Sequence, residues 1–332
     1  MRGVRLGVPV LLAVVALVVP PAAETQLRAR QVRIGVLCAG MCPFGGPEGS
    51  YRRLLDELEG VGLVQGRSMV WDIGGVATSE DQISAQAAKL VSRSPDLILV
   101  WPGNVAAARA AKDATRTIPI VLMAVPDVVE NGLVASLRRP GANITGTTVP
   151  TYDLTAKQLE VLKEINPRLK GVVVIQAGLD PAERQTVDRL REAAATLQLD
   201  AGITVTDVTS FEPALGAAPA GASSVLVIGN IPHVVQRRIR VRALERKLPL
   251  IMPWRAWDIG GSGTVIVYGP RFSAVAKRTA AFVDRILKGT RPGDLPVEEP
   301  TNYELVIDGV MAKALGLSIP PGVRARADEV LD

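Results

Sequence analysis

One histidine and two cysteines are spread over 332 residues, and this scarcity removes much of the chemistry that a chain of this length can carry. With His233 as the single imidazole, most Ser-His and Cys-His nucleophile–base schemes are excluded. The same shortage leaves no matched ligand pair for a metal. Gly260-Gly261-Ser262-Gly263 is not a nucleophile elbow, because Thr264 stands where the closing Gly is required. The Gly-rich loop from Gly40 to Gly49 lacks the Lys-Ser/Thr ending of a phosphate loop, and no G-x-G-x-x-G follows the first apolar run. These absences argue for binding without turnover: no enzyme, no cofactor and no metal are expected.

Aromatic residues are also few, at 4%, so Ala, Val, Leu and Ile must fill the interior. The length suits two domains of ordinary size. The net charge of +5 falls once Arg2 and Arg5 are set aside, and what remains is too mildly basic to suggest a nucleic-acid partner. Those two arginines begin a processing signal. An apolar run from Leu6 to Val19 follows them, and Pro20-Pro21-Ala22-Ala23 closes it with small residues. An apolar run of about 14 residues is short for a membrane span. Residues 1–23 are therefore read as a signal peptide, and the rest as an exported, soluble, periplasmic chain. Cys38 and Cys42 lie four apart, a spacing that permits a small disulfide and equally fits two small apolar side chains at a strand end.

Beyond the signal, short apolar runs alternate with helical patterns. Arg33 to Gly40, Leu97 to Trp101 and Pro119 to Val125 are strand-like; Ser79 with Gln82 three residues on resembles a capping box. An Ala-rich helix is expected from Asn104 to Thr115. The second half repeats the scheme with strands at Gly171 to Ala177, Ala201 to Val208, Ser223 to Gly229 and Pro249 to Met252. Between Val208 and Gly221 a loose Pro/Ala/Gly segment is expected, and the chain is expected to end in the run Tyr303 to Ile307, a last short helix and a Pro-rich tail. Unbroken apolar strands alternating with amphipathic helices require parallel sheets covered on both faces, so the fold class is α/β and doubly wound. The stretch Gly132 to Thr148 joins the halves. It is read as a short helical turn, a Pro-Gly break and a strand whose Gly146 bends where the chain changes lobe; Thr147 and Thr148 offer hydroxyls there.

Ligands of open parallel sheets sit outside the carboxyl ends of the strands. Trp101 falls at one such end and can present a flat apolar wall. Trp254 and Trp257 lie at or after another. Asn104 opens a helix whose N–H groups suit a carboxylate, though a plain N-cap is the favoured reading of it. Gln176 and Asn230 can supply neutral hydrogen bonds, while Asp127 and Asp258 can receive an ammonium group. Arg237, Arg238, Arg240, Arg242, Arg246 and Lys247 wrap one helix, giving either a solvated face or a docking surface.

Several long motifs carry a family resemblance: LVASLRRPGANITG at 133–146, KQLEVLKEINP at 157–167, LKGTRPGDLPVE at 287–298, ELVIDGVMAKALGLSIPP at 304–321 and RADEVLD at 326–332. They resemble ABC-transporter substrate-binding proteins, the group with tryptophan- and tyrosine-type receptors. The resemblance implies a type I periplasmic-binding fold, with two α/β lobes joined by a three-strand hinge. The lobes would be 31–147 with 268–298, and 148–267 with 299–332. The further crossings fall near Val267–Gly269 and Pro296–Thr301. It implies one small-molecule solute per chain, such as an amino acid or related metabolite. It also implies an ABC permease and its ATPase as partners, a monomer, and contact with the membrane only through the permease. A sensory module reporting to a membrane receptor is the alternative. Site residues carried over are Cys42, Pro43, Gly103, Asn104, Gln176, Asn230, Trp257 and Asp258, beside Trp101, Asp127 and Thr148. The first loop, with Cys38-Ala-Gly-Met-Cys42-Pro-Phe-Gly-Gly, departs from the family pattern, as does Val128 after Asp127.

Overall fold

The computed structural model describes residues 30–39, 49–77, 79–101, 103–177, 181–229, 231, 233–254 and 263–332. The proposed signal peptide, Cys42, Pro43, Asn230, Trp257 and Asp258 lie outside the described residues. The fold is α/β, with two mostly parallel sheets. Numbering elements in chain order, the first sheet holds β1 (Val32–Ala39), β2 (Met69–Ala77), β3 (Leu97–Val100), β4 (Ile120–Pro126), β5 (Ile144–Val149) and β11 (Val297–Glu298). They lie in the order β11-β5-β4-β3-β1-β2.

Alternation along β1 explains how this sheet is covered on both sides. Ile34, Val36 and Cys38 point into a core shared with α1 (Gly49–Gly60) and α8 (Phe272–Leu287), through Leu54, Leu58 and Phe282. Leu37 and Ala39 point the other way, onto Ile83 and Leu90 of α2 (Glu80–Ser92) and Ala107 and Ala108 of α3 (Val105–Ala114). Ser79 caps α2, its hydroxyl accepting the Gln82 N–H.

The second sheet follows the order β13-β12-β10-β9-β8-β6-β7. Its members are β6 (Gly171–Gln176), β7 (Gly202–Asp207), β8 (Ser223–Ile228), β9 (Leu250–Met252), β10 (Thr264–Pro270), β12 (Tyr303–Asp308) and β13 (Glu329–Leu331). Val172 and Val174 pack with Leu159 and Leu162 of α4 (Thr151–Ile165) and Val187 and Leu190 of α5 (Pro181–Thr196). Val173 and Ile175 face Phe211 and Leu215 of α6 (Phe211–Ala217) and Ile239 and Ala243 of α7 (His233–Glu245). One pairing is antiparallel, β10 with β12.

Three expectations need correction. The segment after β7 forms α6, because Phe211 and Leu215 bury one face while Pro213 sits early enough to be tolerated. The expected last short helix is α9 (Gly309–Ala314), capped by Asp308, but the Pro-rich tail after it folds too, into α10 (Pro321–Arg326) and β13. From Gly132 to Leu137 there are turns rather than helix; Val128 O accepts both the Leu133 and Val134 N–H.

The chain passes between the sheets after Val149, after Pro270 and after Glu298. Beside the first passage, β4 and β5 lose register between Leu122 and Val125. Ala124 there adopts φ +49°, and its N–H is taken by the Thr147 hydroxyl at 2.8 Å in place of a ladder partner. Gly146 has φ +133°, and a Cβ on it would lie 2.2 Å from Leu122 O. Only glycine allows the two strands to approach this closely.

Candidate functional site

Strand order shows where a ligand crevice can open. In the first sheet the connections from β1 to β2 and from β3 to β4 run in opposite directions, so the chain reverses between β1 and β3. In the second, β6 leads to β7 on one side while β8 to β10 build on the other, reversing between β6 and β8. Helices leaving opposite faces at such points leave a gap at the carboxyl ends of the strands. The ends that matter are therefore those of β1, β3, β6 and β8.

At the end of β3, Trp101 is 3% exposed, and its N–H donates to Leu37 O at 3.0 Å. Its ring stands 6.5 Å from that of Phe272, which in turn meets Trp254, just beyond β9, edge-on at 6.1 Å. Strand ends from both sheets thus touch the ring that opens α8. Trp101 packs as core on one side rather than standing free as a wall. Gly103 follows with φ +80° and open space where a side chain would be. Asn104 is buried, its Oδ1 accepting the Ala107 N–H at 2.6 Å, so its carboxamide oxygen is spent on capping α3. Gln176 ends β6, half-buried, and its backbone oxygen accepts the Val208 N–H. At the end of β8, Gly229 (φ +79°) leaves room for Glu183, which an added Cβ would meet at 2.2 Å.

Asp127 lies elsewhere, just past β4 and beside the end of β5, where the chain first changes sheet. It is 7% exposed with φ +42°, a left-handed backbone uncommon for a residue with a side chain. Its Oδ2 accepts the Thr151 N–H at 3.2 Å, while its own N–H donates to Val149 O at 3.0 Å. Pro150, in the capping position of α4, has no side chain to offer, so a carboxylate from the other sheet caps that helix. Burial, with the neighbouring Glu130 and then Asp153, outweighs those hydrogen bonds and pushes the Asp127 carboxyl up to about 7. The Thr148 hydroxyl donates to Val125 O at 2.7 Å and receives the Val128 N–H at 3.4 Å, both within the same turn.

Asp127 and Thr148 border a cavity of about 500 Å³, whose other walls include Tyr152, Asp153, Arg189 and Glu299. Carboxylates dominate it, since Arg189 is already paired with Glu192 at 3.1 Å. Tyr303, at the third passage, stacks on Tyr268 at 6.3 Å; burial first, then Glu299 and the other nearby charges, raise its hydroxyl to about 12. These side chains bring all three passages close together.

The structure thus places Trp101, Gly103, Asn104 and Gln176 at the strand ends and Asp127 with Thr148 at the first passage. Sequence reasoning passed over Phe272 and Glu183. Phe272 carried a signal, as the first residue of the helix pattern after the second expected crossing; Glu183 carried none. Cys38 is held in a disulfide, leaving no free cysteine among the described residues. Among those residues no group of three or more His, Cys, Asp and Glu could hold a metal ion, and no helix is long and apolar enough to cross a membrane.

A family model described as ABC transporter substrate binding protein matches residues 49–331. The tyrosine-binding protein of Clostridioides difficile (strain R20291) is 28% identical over 264 residues, covering 78% of this chain and 74% of that protein. A conserved domain protein from Vibrio cholerae shares the fold with a TM-score of 0.75 at 25% identity, covering 91% of this chain and all of that one. An ABC domain from Streptococcus pneumonia, solved in complex with L-Trp, gives 0.73 at 20% identity over 90% of this chain and 99% of that chain.

Proposed function

The chain belongs to the ABC transporter substrate binding protein family, and from that premise we propose that it is the exported receptor of an importer. It captures one small solute between two lobes and passes it to a membrane permease driven by an ATPase. The lobes are 31–147 with 268–298, and 148–267 with 299–332. The observation that carries this reading is the aromatic contact Trp101–Phe272–Trp254, which joins the strand ends of the two sheets. A solute seated there touches both lobes, and only such a solute favours the closed form over the open one.

The solute class is an amino acid or related metabolite. The strand-end aromatics suit the apolar body of such a solute. Relatives fit that class, one described as tyrosine-binding and another solved with L-Trp. The test is a thermal-shift screen of amino acids, short peptides and sugars on the purified chain. Stabilisation by one group of amino acids, saturating at micromolar concentration or below, is expected. A well-folded protein whose melting temperature no solute raises would defeat the proposal.

A further inference from the structure

Five large hydrophobic side chains are exposed among the described residues, and three of them lie on α7: Val234 at 76%, Val241 at 49% and Leu244 at 37%. Spacings of seven and three put them on the outward side of the helix. The inward side is anchored by Ile239 and Ala243, both fully buried against the second sheet. Arg237, Arg238 and Arg242 share α7 with these aliphatics, and Arg246 and Lys247 follow in the turn that ends it, all exposed.

Local acids neutralise only part of that charge. Glu212 serves both Arg238, at 3.0 Å, and Arg242, at 3.3 Å, and Glu245 serves Arg242 again at 2.8 Å. Arg237, Arg246 and Lys247 have no ion pair among the described residues. A solvated face explains exposed arginines, but not aliphatic side chains set among them. An apolar stripe with surplus guanidinium groups matches a surface that is anionic outside and apolar beneath.

We propose that the outward face of α7, with the turn that follows it, is a peripheral contact for anionic phospholipid, with Arg237, Arg246 and Lys247 drawing headgroup phosphates and Val234, Val241 and Leu244 at the acyl boundary. Guanidinium forks suit phosphate oxygens. The face has no aromatic anchor, whereas protein-binding hot spots favour Trp, Tyr and buried pockets. This contact is independent of solute capture, and it departs from the expectation that the membrane is met only through a permease. It would hold the receptor against the bilayer.

Flotation of the full chain with phosphatidylglycerol-containing vesicles tests it, with pure phosphatidylcholine vesicles and poly-glutamate beads alongside. Binding to the anionic vesicles should be lost at high salt and absent on phosphatidylcholine. The triple variant Arg237→Glu, Arg246→Glu, Lys247→Glu should lower partitioning by about tenfold or more. Val234→Ser with Val241→Ser should lower it severalfold without changing the salt dependence. Circular dichroism and melting temperature should match wild type for both, since every substituted side chain is exposed. If a variant fails to fold, the lipid and salt comparison on the wild-type chain decides alone. Equal recovery on both vesicle types would overturn the proposal. So would binding to poly-glutamate as strong as to vesicles, which marks an acidic protein surface, or self-association in sedimentation that the same substitutions abolish.

Discussion

Asp127 is where the chemistry of single residues is most exposed to test. Its carboxylate is 7% exposed, caps a helix of the other sheet, and has Glu130 and Asp153 as near charges. With a folded value of about 7 against an ordinary 3.8, the native state holds a proton that the unfolded chain has already released between those limits. Stability contributed here therefore falls as pH rises from about 4 to 7, and stays at its lower level above. Asp127→Asn keeps an oxygen for the Thr151 N–H and removes the charge. The variant should melt higher than wild type at pH 8, with the gain shrinking toward pH 5, in thermal denaturation followed across that range. A wild type whose melting temperature rises from pH 5 to 8, unaffected by the substitution, would contradict this account.

At the scale of elements, the β4–β5 pair decides how the first passage is built. The register shift, the left-handed Ala124 and the Thr147 hydroxyl together replace a regular ladder, and Gly146 supplies the clearance. Gly146→Ala forces a Cβ against the Leu122 backbone at a φ that disfavours any side chain. The expected loss is roughly 3–5 kcal/mol, adding backbone strain to overpacking. Urea denaturation measures it, and a loss below about 1 kcal/mol would mean that the strands separate easily. The element boundaries were largely legible in the sequence. Val275, Thr279, Phe282, Val283 and Ile286 recur at helical spacing in the sequence, and all are buried on α8. α6 was not legible. Ala, Pro and Gly say little about helix or loop, and the burial of Phe211 settles the matter only once the sheet beneath exists.

For the whole molecule, the prediction is compaction. A solute that stabilises the chain in the thermal screen should also reduce its radius of gyration in small-angle scattering, as expected for a hinge closing on ligand. Trp101 and Trp254 flank Phe272, so intrinsic fluorescence should change over the same titration, and Phe272→Ala should reduce that change. Stabilisation with no compaction and no fluorescence response would place the solute on one lobe.

Local pattern sufficed for an α/β chain with doubly wound sheets, because period-2 and period-3.6 burial is written into neighbouring residues. It also sufficed to nominate strand ends, and the missing nucleophile–base pairs pointed away from catalysis. Tertiary structure alone decided what those nominated residues do. Asn104 spends its carboxamide oxygen on α3, and Thr148 spends its hydroxyl on the backbone of β4. Asp127 reaches across to cap α4. Asp127 and Thr148 looked available in the linear chain, whereas the capping role of Asn104 was already legible there. Burial obliges such a group to find a partner, and the partner is chosen by the packing of segments distant in sequence.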